Sequence, residues 1–322
     1  MKWRPTSGNQ KSHFRIKSSL MNKSGALFVI AAATLWGTTG TSQALAPQGA
    51  GPLAIGTLRM LVGGAGLLAF ALWRGKRLAA LGGVHAWPWK SIVLAAVCMA
   101  AYQVLFFSGV ARTGVAVGTI VGIGSSPILA GALAFVFRGE RPGWKWVIAT
   151  ALAVAGGSLL ASGSGGLHVE LLGLLLAIGA GGAYATFILV SKGLLEGSSS
   201  EMALAVIFCL GALFLLPLLL TQNMAWLLQP RGVAVALHLG LVTVGVGYTL
   251  FWAGLRRVPV AMAGTLTLAE PLTAGMLGVL VLGERLTFTA GLGIGLILVG
   301  LVVLSIESSV FSRQSSVKDQ SV

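Results

Sequence analysis

Runs of about twenty apolar residues, separated by short segments that hold most of the charge, recur along the whole of this 322-residue chain. A helix rising 1.5 Å per residue needs roughly 20 such residues to cross the hydrocarbon core of a bilayer, so each run is a candidate membrane span. They fall at 25–45, 52–73, 91–110, 115–137, 144–162, 171–191, 202–221, 233–255, 260–282 and 288–306. The pattern predicts an all-α integral membrane protein with ten transmembrane helices.

Charge supplies an independent test. An even number of spans puts both termini on one side, and Lys and Arg should concentrate there if that side is cytoplasmic. On this reading the inner segments hold Lys2, Arg4, Lys11, Arg15, Lys17 and Lys23 of the N-terminal tail, with Arg74, Lys76, Arg77, Lys90, Arg138, Arg141, Lys145, Lys192, Arg256, Arg257, Arg313 and Lys318. The outer segments hold only Arg112, Arg231 and Arg285, and Arg59 alone lies within a span. A miscount by one helix would scramble this asymmetry. The net charge of +14 is therefore read as topology signals facing lipid, not as a nucleic-acid surface. Trp73, Trp87, Trp89, Trp144 and Trp146 cluster near span ends, where an interfacial belt belongs. Residues 1–24 lack the apolar core of a cleaved signal, and the run after Lys23 continues to Leu45, so a cytoplasmic tail leading into a retained first helix is expected.

Composition agrees. The chain is 56% hydrophobic and 9% charged, with a mean hydropathy of +0.89, whereas a soluble domain carries about a quarter charged residues. Cys98 and Cys209 lie inside apolar runs without thiol-rich spacing, so they read as small buried apolar residues rather than as a disulfide or metal framework.

Shifting the chain by 144 lays residues 127–141, PILAGALAFVFRGER, on 271–285, PLTAGMLGVLVLGER, with seven identities that include the polar Gly-Glu-Arg ending. A weaker echo at a shift of 148 pairs Gly25 with Gly173, Ile30 with Ile178, Ala32 with Ala180, Trp36 with Tyr184 and Thr38 with Thr186. Two five-helix repeats follow, 25–163 and 170–306, flanked by cytoplasmic tails at 1–24 and 307–322. Five is odd, so the second repeat is inverted, with Glu140 and Arg141 inside and Glu284 and Arg285 outside. Inverted repeats are the architecture of alternating access, in which a site near the midplane opens to either face.

The paired Pro to Gly-Glu-Arg stretches, Trp36-Gly37 in the first span, Arg59 early in the second and Glu270-Pro271 in the ninth are the features by which the chain resembles the EamA family of the drug/metabolite transporter superfamily. The resemblance covers nearly all of the chain. It implies a multi-pass carrier of the cell inner membrane with a central cavity between the halves, often an exporter of amino acids or related metabolites.

Arg59 sits about seven residues into its span, roughly 10 Å deep. A charge at such depth either faces a wet cavity, where it could bind a substrate carboxylate, or snorkels to the outer headgroups or bonds a carbonyl. Glu270 is a carboxylate in mid-span, a candidate for proton coupling or a structural partner for carbonyls freed at Pro271. Pro127 and Pro271 each remove a mid-span donor and read as hinges or as ordinary kinks. Trp36, Tyr102, Gln103, Tyr184, Tyr248 and Trp252 supply rings and an amide suited to lining a cavity, with Gln43 and His238 as weaker candidates. Glu140-Arg141 and Glu284-Arg285 read as helix-end residues that cap or tether the following span. Glycines at four-residue spacing, Gly114, Gly118 and Gly122, and Gly291 and Gly295, read as close helix contacts.

No GxxxxGK[ST] or HExxH stretch occurs and the one aspartate is Asp319, so nothing points to ATP hydrolysis, a metal, a cofactor or zinc or aspartyl proteolysis. Gly122, Gly124, Ser125 and Ser126 with His238 leave a remote serine-hydrolase alternative. A passive channel or non-transporting receptor would share the composition. The expected partners are a small-molecule substrate and the lipid bilayer, and a monomer is compatible with the sequence.

Overall fold

The computed structural model describes residues 23–75, 87–162, 170–196, 201–283, 288–289 and 291–303. Most of the N-terminal tail, the C-terminal tail 307–322 and Glu284-Arg285 lie outside the described residues. Among the described residues there is no strand. The helices are α1 (Lys23–Ala44), α2 (Pro52–Trp73), α3 (Trp89–Arg138), α4 (Trp144–Ser162), α5 (Leu171–Glu196), α6 (Glu201–Leu219), α7 (Pro230–Leu237), α8 (Gly247–Leu255), α9 (Val260–Leu266), α10 (Ala269–Leu282) and α11 (Gly291–Val303). A 3₁₀ turn, Ala225–Leu228, precedes α7, and a π-helical stretch, His238–Val246, joins α7 to α8.

Local chemistry sets several of these ends. Pro52 occupies the first helical position of α2 after an extended Gly51, where its missing N–H and fixed φ cost nothing. Gly139 and Gly283, equivalent under the repeat, end α3 and α10 in the left-handed conformation at φ of 63° and 70°.

Among the described residues seven helices are long and apolar enough to cross a membrane: Pro52–Trp73, Trp89–Val110, Val121–Arg138, Leu171–Glu196, Glu201–Leu219, Pro230–Leu255 and Val260–Leu282. Trp144–Leu159 and Gly291–Val303 are apolar but shorter. The 22-residue α1 dilutes its apolar face with Thr34, Thr38, Thr39, Thr41, Ser42 and Gln43.

Two spans differ from their sequence reading, and one boundary takes an unexpected form. The third and fourth spans, Trp89–Val110 and Val121–Arg138, are separate as expected, but helical backbone runs on through the turn between them, so that α3 covers both. Eight residues along a straight helix span about 12 Å. A Cβ on Gly118 would nevertheless lie 2.7 Å from the Cα of Val110, so the run doubles back as a helical hairpin. No proline stands at the bend to break the ladder, and Thr113 donates its hydroxyl to the Gly109 carbonyl at 2.8 Å. The eighth span is not a plain α-helix but contains the π stretch, a geometry that is rare and frequent at functional sites. The ninth span is broken at Thr267 and Leu268 into α9 and α10. Pro271 therefore sits in the first turn of α10, where a missing N–H has no helical acceptor to lose, and it does not kink a continuous helix; Pro127 does lie inside one.

α3 packs along α5, α2 along α6, and α1 against α8 and α10. Glycines set the closest approaches. A Cβ on Gly181 would meet the Gly122 carbonyl at 2.8 Å, and one on Gly37 would meet the Glu270 carbonyl at 2.6 Å. Gly295 has nothing within 4 Å, so the packing expected of it is not seen among the described residues. The interior is filled by Phe187, Phe208, Phe251, Met60 and Met99, while residues such as Leu72, Phe137, Leu171, Leu213 and Leu280 face outward, as lipid contact requires.

Candidate binding site

The aromatic residues picked out by the repeat meet near the centre of the bundle. Trp36, on α1 and 4% exposed, lies 4.7 Å from the Tyr248 ring, 5.3 Å from Phe251 and 6.2 Å edge-on from Tyr184. Tyr102 lies 5.5 Å from Tyr184, and Phe208 lies 4.5 Å from Tyr248. All three tyrosines of the chain thus converge on one place, drawn from α3, α5 and α8. The Trp36 indole N–H donates to the Thr243 carbonyl at 2.9 Å, fastening α1 to the π stretch.

Arg59 enters from α2. It is 8% exposed and its Nε has no hydrogen-bond partner, so it does not snorkel to the surface. One turn earlier on the same helix, Gly56 leaves room for the Phe107 ring and for Gln103, whose Oε1 would stand 3.3 Å from a Cβ there. Gln103 is 2% exposed with its Nε2 unpartnered, and the Tyr184 hydroxyl and Ser126 Oγ are likewise buried without a partner. Buried polar atoms are nearly always hydrogen-bonded in folded proteins, and among the described residues unpartnered ones also occur away from the rings, at Trp87 and Trp226 for example; those of Arg59 and Tyr184 are available to a ligand or to water. Glu270, half-buried in the first turn of α10, lies within electrostatic reach of Arg59 and of the three tyrosine hydroxyls. No ion pair within 4.0 Å joins it to Arg59 among the described residues. A free guanidinium, a separate carboxylate and several π faces can together hold the two ends of a small zwitterion.

Not every predicted residue joins this group. Trp252 is buried at 4% but makes none of the ring contacts of the cluster, because the helix step after Phe251 turns it away. Gln43 lies half-buried near the end of α1. His238 shares a hydrogen bond of 2.9 Å with the Thr38 hydroxyl, and Ser125 donates to the Gly122 carbonyl at 3.3 Å. Ser125 and His238 of the hydrolase alternative thus have separate partners, and Ser126 has none. Among the described residues no cluster of His, Cys, Asp or Glu could hold a metal.

Two charged residues behave differently from their sequence reading. Lys192 is not a loop residue but part of α5, 5% exposed, with its ammonium donating to the carbonyls of Leu255, Arg256 and Val258 at 2.8, 3.2 and 3.0 Å. Glu140 does not cap the span that follows it. Its carboxylate accepts from the backbone N–H of Val260 at 3.3 Å and of Ala261 at 3.4 Å, far along the chain. The sequence signal available was thin: a single Lys ahead of a helix end, and a Glu after a left-handed glycine.

The sequence profile of the EamA-like transporter family matches residues 23–162 and again 171–306. The chain belongs to this family, within the drug/metabolite transporter superfamily. It is 47% identical to an uncharacterized transporter, YwfM of Bacillus subtilis, over 87% of this chain and 93% of that protein. It is 33% identical to the threonine/homoserine exporter RhtA of Escherichia coli over 56% of this chain and 59% of that one. A solved crystal structure with a TM-score of 0.77 covers 89% of this chain and 98% of its own, at 22% identity, and so shares the fold. With its apolar helices, the chain is an integral multi-pass membrane protein of a transporter family.

Proposed function

We propose that this protein is a secondary transporter that moves small metabolites across the cytoplasmic membrane by alternating access, exporting amino acids or related small polar or amphipathic compounds. The observation that carries this reading is the site itself: an unpaired buried guanidinium and a nearby carboxylate beside a cage of Trp36 and the three tyrosines. Arg59 binds the substrate carboxylate, Glu270 faces its ammonium group or exchanges a proton with it, and the rings and Gln103 enclose the remainder. The threonine/homoserine exporter among its relatives supports an amino-acid substrate.

The architecture of this reading is ten spans, with α1, α4 and α11 crossing alongside the seven longer helices, and both termini cytoplasmic. Two inverted five-helix halves, 25–163 and 170–306, share the site between them. Pro127 and the break before Pro271, at equivalent positions of the two halves, are the points at which the helices bend during exchange.

The test is counterflow in proteoliposomes with radiolabelled L-threonine and a panel of unlabelled amino acids. Saturable uptake stimulated by internal substrate is expected, and Arg59→Gln should raise the KM for carboxylated substrates by about tenfold or more, the worth of a charge-assisted pair. Linear, unsaturable flux would instead make the protein a channel. Equal kinetics for wild type and Arg59→Gln would remove Arg59 from the site.

A further inference from the structure

The end of the bundle where α3, α5 and α8 finish carries a charged cluster that the binding site does not use. Arg138 lies with its guanidinium 2.5 Å from Glu196 and 3.1 Å from Glu140. Glu140 in turn accepts from the Val260 and Ala261 amides, and Lys192 holds the carbonyls of Leu255, Arg256 and Val258. The turn between α8 and α9 is thus gripped from both sides.

These links are of two kinds. Lys192 and the turn it holds both belong to the second half, and at 5% exposure with three carbonyl acceptors its ammonium has nowhere wetter to go. Arg138 and Glu140 belong to the first half, and their partners Glu196, Val260 and Ala261 to the second. Their links are the looser ones: the Arg138 and Glu196 side chains are 22% and 53% exposed, and the Glu140 bonds are long. Water can solvate every one of these groups on separation, so the cross-half links hold weakly and reversibly. Just inside the cluster, Ser191 of α5 is fully buried with its hydroxyl unpartnered, about two turns from Tyr184 on the way to the binding site.

We propose that Arg138, Glu140 and Glu196 form a latch that closes this end of the transport path on the α8–α9 turn, with Lys192 as the fixed anchor that keeps the turn in shape, and that each transport cycle breaks its cross-half links along with the 3.1 Å bond from the Trp146 indole to the Ala261 carbonyl. The proposal rests on the alternating-access reading above. It adds residues that govern access without touching substrate.

The test places a single cysteine, Ser191→Cys, in a background with Cys98→Ala and Cys209→Ala. Its rate of modification by a membrane-impermeant maleimide is then read in right-side-out and inside-out vesicles. With the latch intact, labelling is slow. Glu140→Gln keeps the side chain's shape and one acceptor oxygen, and Arg138→Gln removes only the ion pairs. Each should accelerate labelling about threefold or more, and the pair together about tenfold or more, from the latch face alone. Size-exclusion profiles of the purified variants confirm that they remain folded. An unchanged rate in both variants overturns the latch, and so does an equal rise from both faces, which would mean general loosening. The readout needs no substrate, so failure of the amino-acid assignment and failure of the latch are separate results.

Discussion

Replacing Lys192 by Met tests how much of the bundle's stability depends on one buried cation. The ammonium is shared by three carbonyls, at 2.8 Å from Leu255, 3.2 Å from Arg256 and 3.0 Å from Val258. Arg256 is exposed, so its carbonyl can turn to water once the lysine is gone. Leu255 and Val258 are both 0% exposed, and their carbonyls lose a partner without replacement. Each orphaned buried acceptor costs about 1 to 3 kcal/mol, while Met recovers part of the cost of burying the charge. A net loss of about 3 kcal/mol remains, which for a chain of this size lowers the melting midpoint by roughly 6 °C. The assay is thermal unfolding followed with a thiol-reactive fluorophore, since Cys98 is buried and Cys209 partly so until the bundle opens. Lys90→Met, at an exposed lysine, is the control and should leave the midpoint unchanged. A Lys192→Met protein melting with the wild type would refute the reasoning, because the carbonyls would then have found other partners.

Three further outcomes follow from the same structure. Gly37→Ala should destabilise by about 1 to 3 kcal/mol in the same assay, because its Cβ would meet the Glu270 carbonyl at 2.6 Å and the Ala274 nitrogen at 3.1 Å; Gly40→Ala, with nothing within 4 Å, should be neutral. Trp36→Phe keeps a ring in the cluster but removes the indole bond to the Thr243 carbonyl, so it should cost about 1 kcal/mol while leaving the membrane level of the protein similar. Thr150→Val removes one half of the 2.9 Å hydroxyl pair with Thr265, whose own bond to the Ala261 carbonyl remains, so a loss of about 1 kcal/mol is expected and the double change with Thr265→Val should cost less than the sum of the two.

Helices were legible wherever an apolar run ended in a local signal. Pro52 at the start of α2, and Gly139 and Gly283 after α3 and α10, fix their ends through residues adjacent in sequence. The turn within α3 was legible as well: the apolar run is interrupted at Arg112 and Gly114, between the spans Trp89–Val110 and Val121–Arg138. What was not legible depends on contacts between distant residues. The π stretch reads as an ordinary apolar run, yet its Thr243 carbonyl meets Trp36 from another helix. Glu140 and Lys192 find their partners about 120 and 63 to 66 residues away, and no spacing rule announces either. For the candidate site, the repeat offset that pairs Trp36 with Tyr184 identifies two rings that lie 6.2 Å apart. Trp252 shows the limit of choosing aromatic residues by span alone: its neighbour Phe251 faces the cluster and it does not.

Whether two oppositely oriented halves enclose one site is tested by Gly139 and Gly283 as a matched pair. They occupy the same repeat position, share a left-handed conformation at φ of 63° and 70°, and have nothing within 4 Å of an added Cβ, so a cysteine at either should be equally strained and equally free to react. In a background lacking Cys98 and Cys209, an impermeant maleimide applied to vesicles of known orientation should label Gly139→Cys from the cytoplasmic face and Gly283→Cys from the opposite one. Labelling of both from the same face would contradict the inverted arrangement and the transport mechanism built on it.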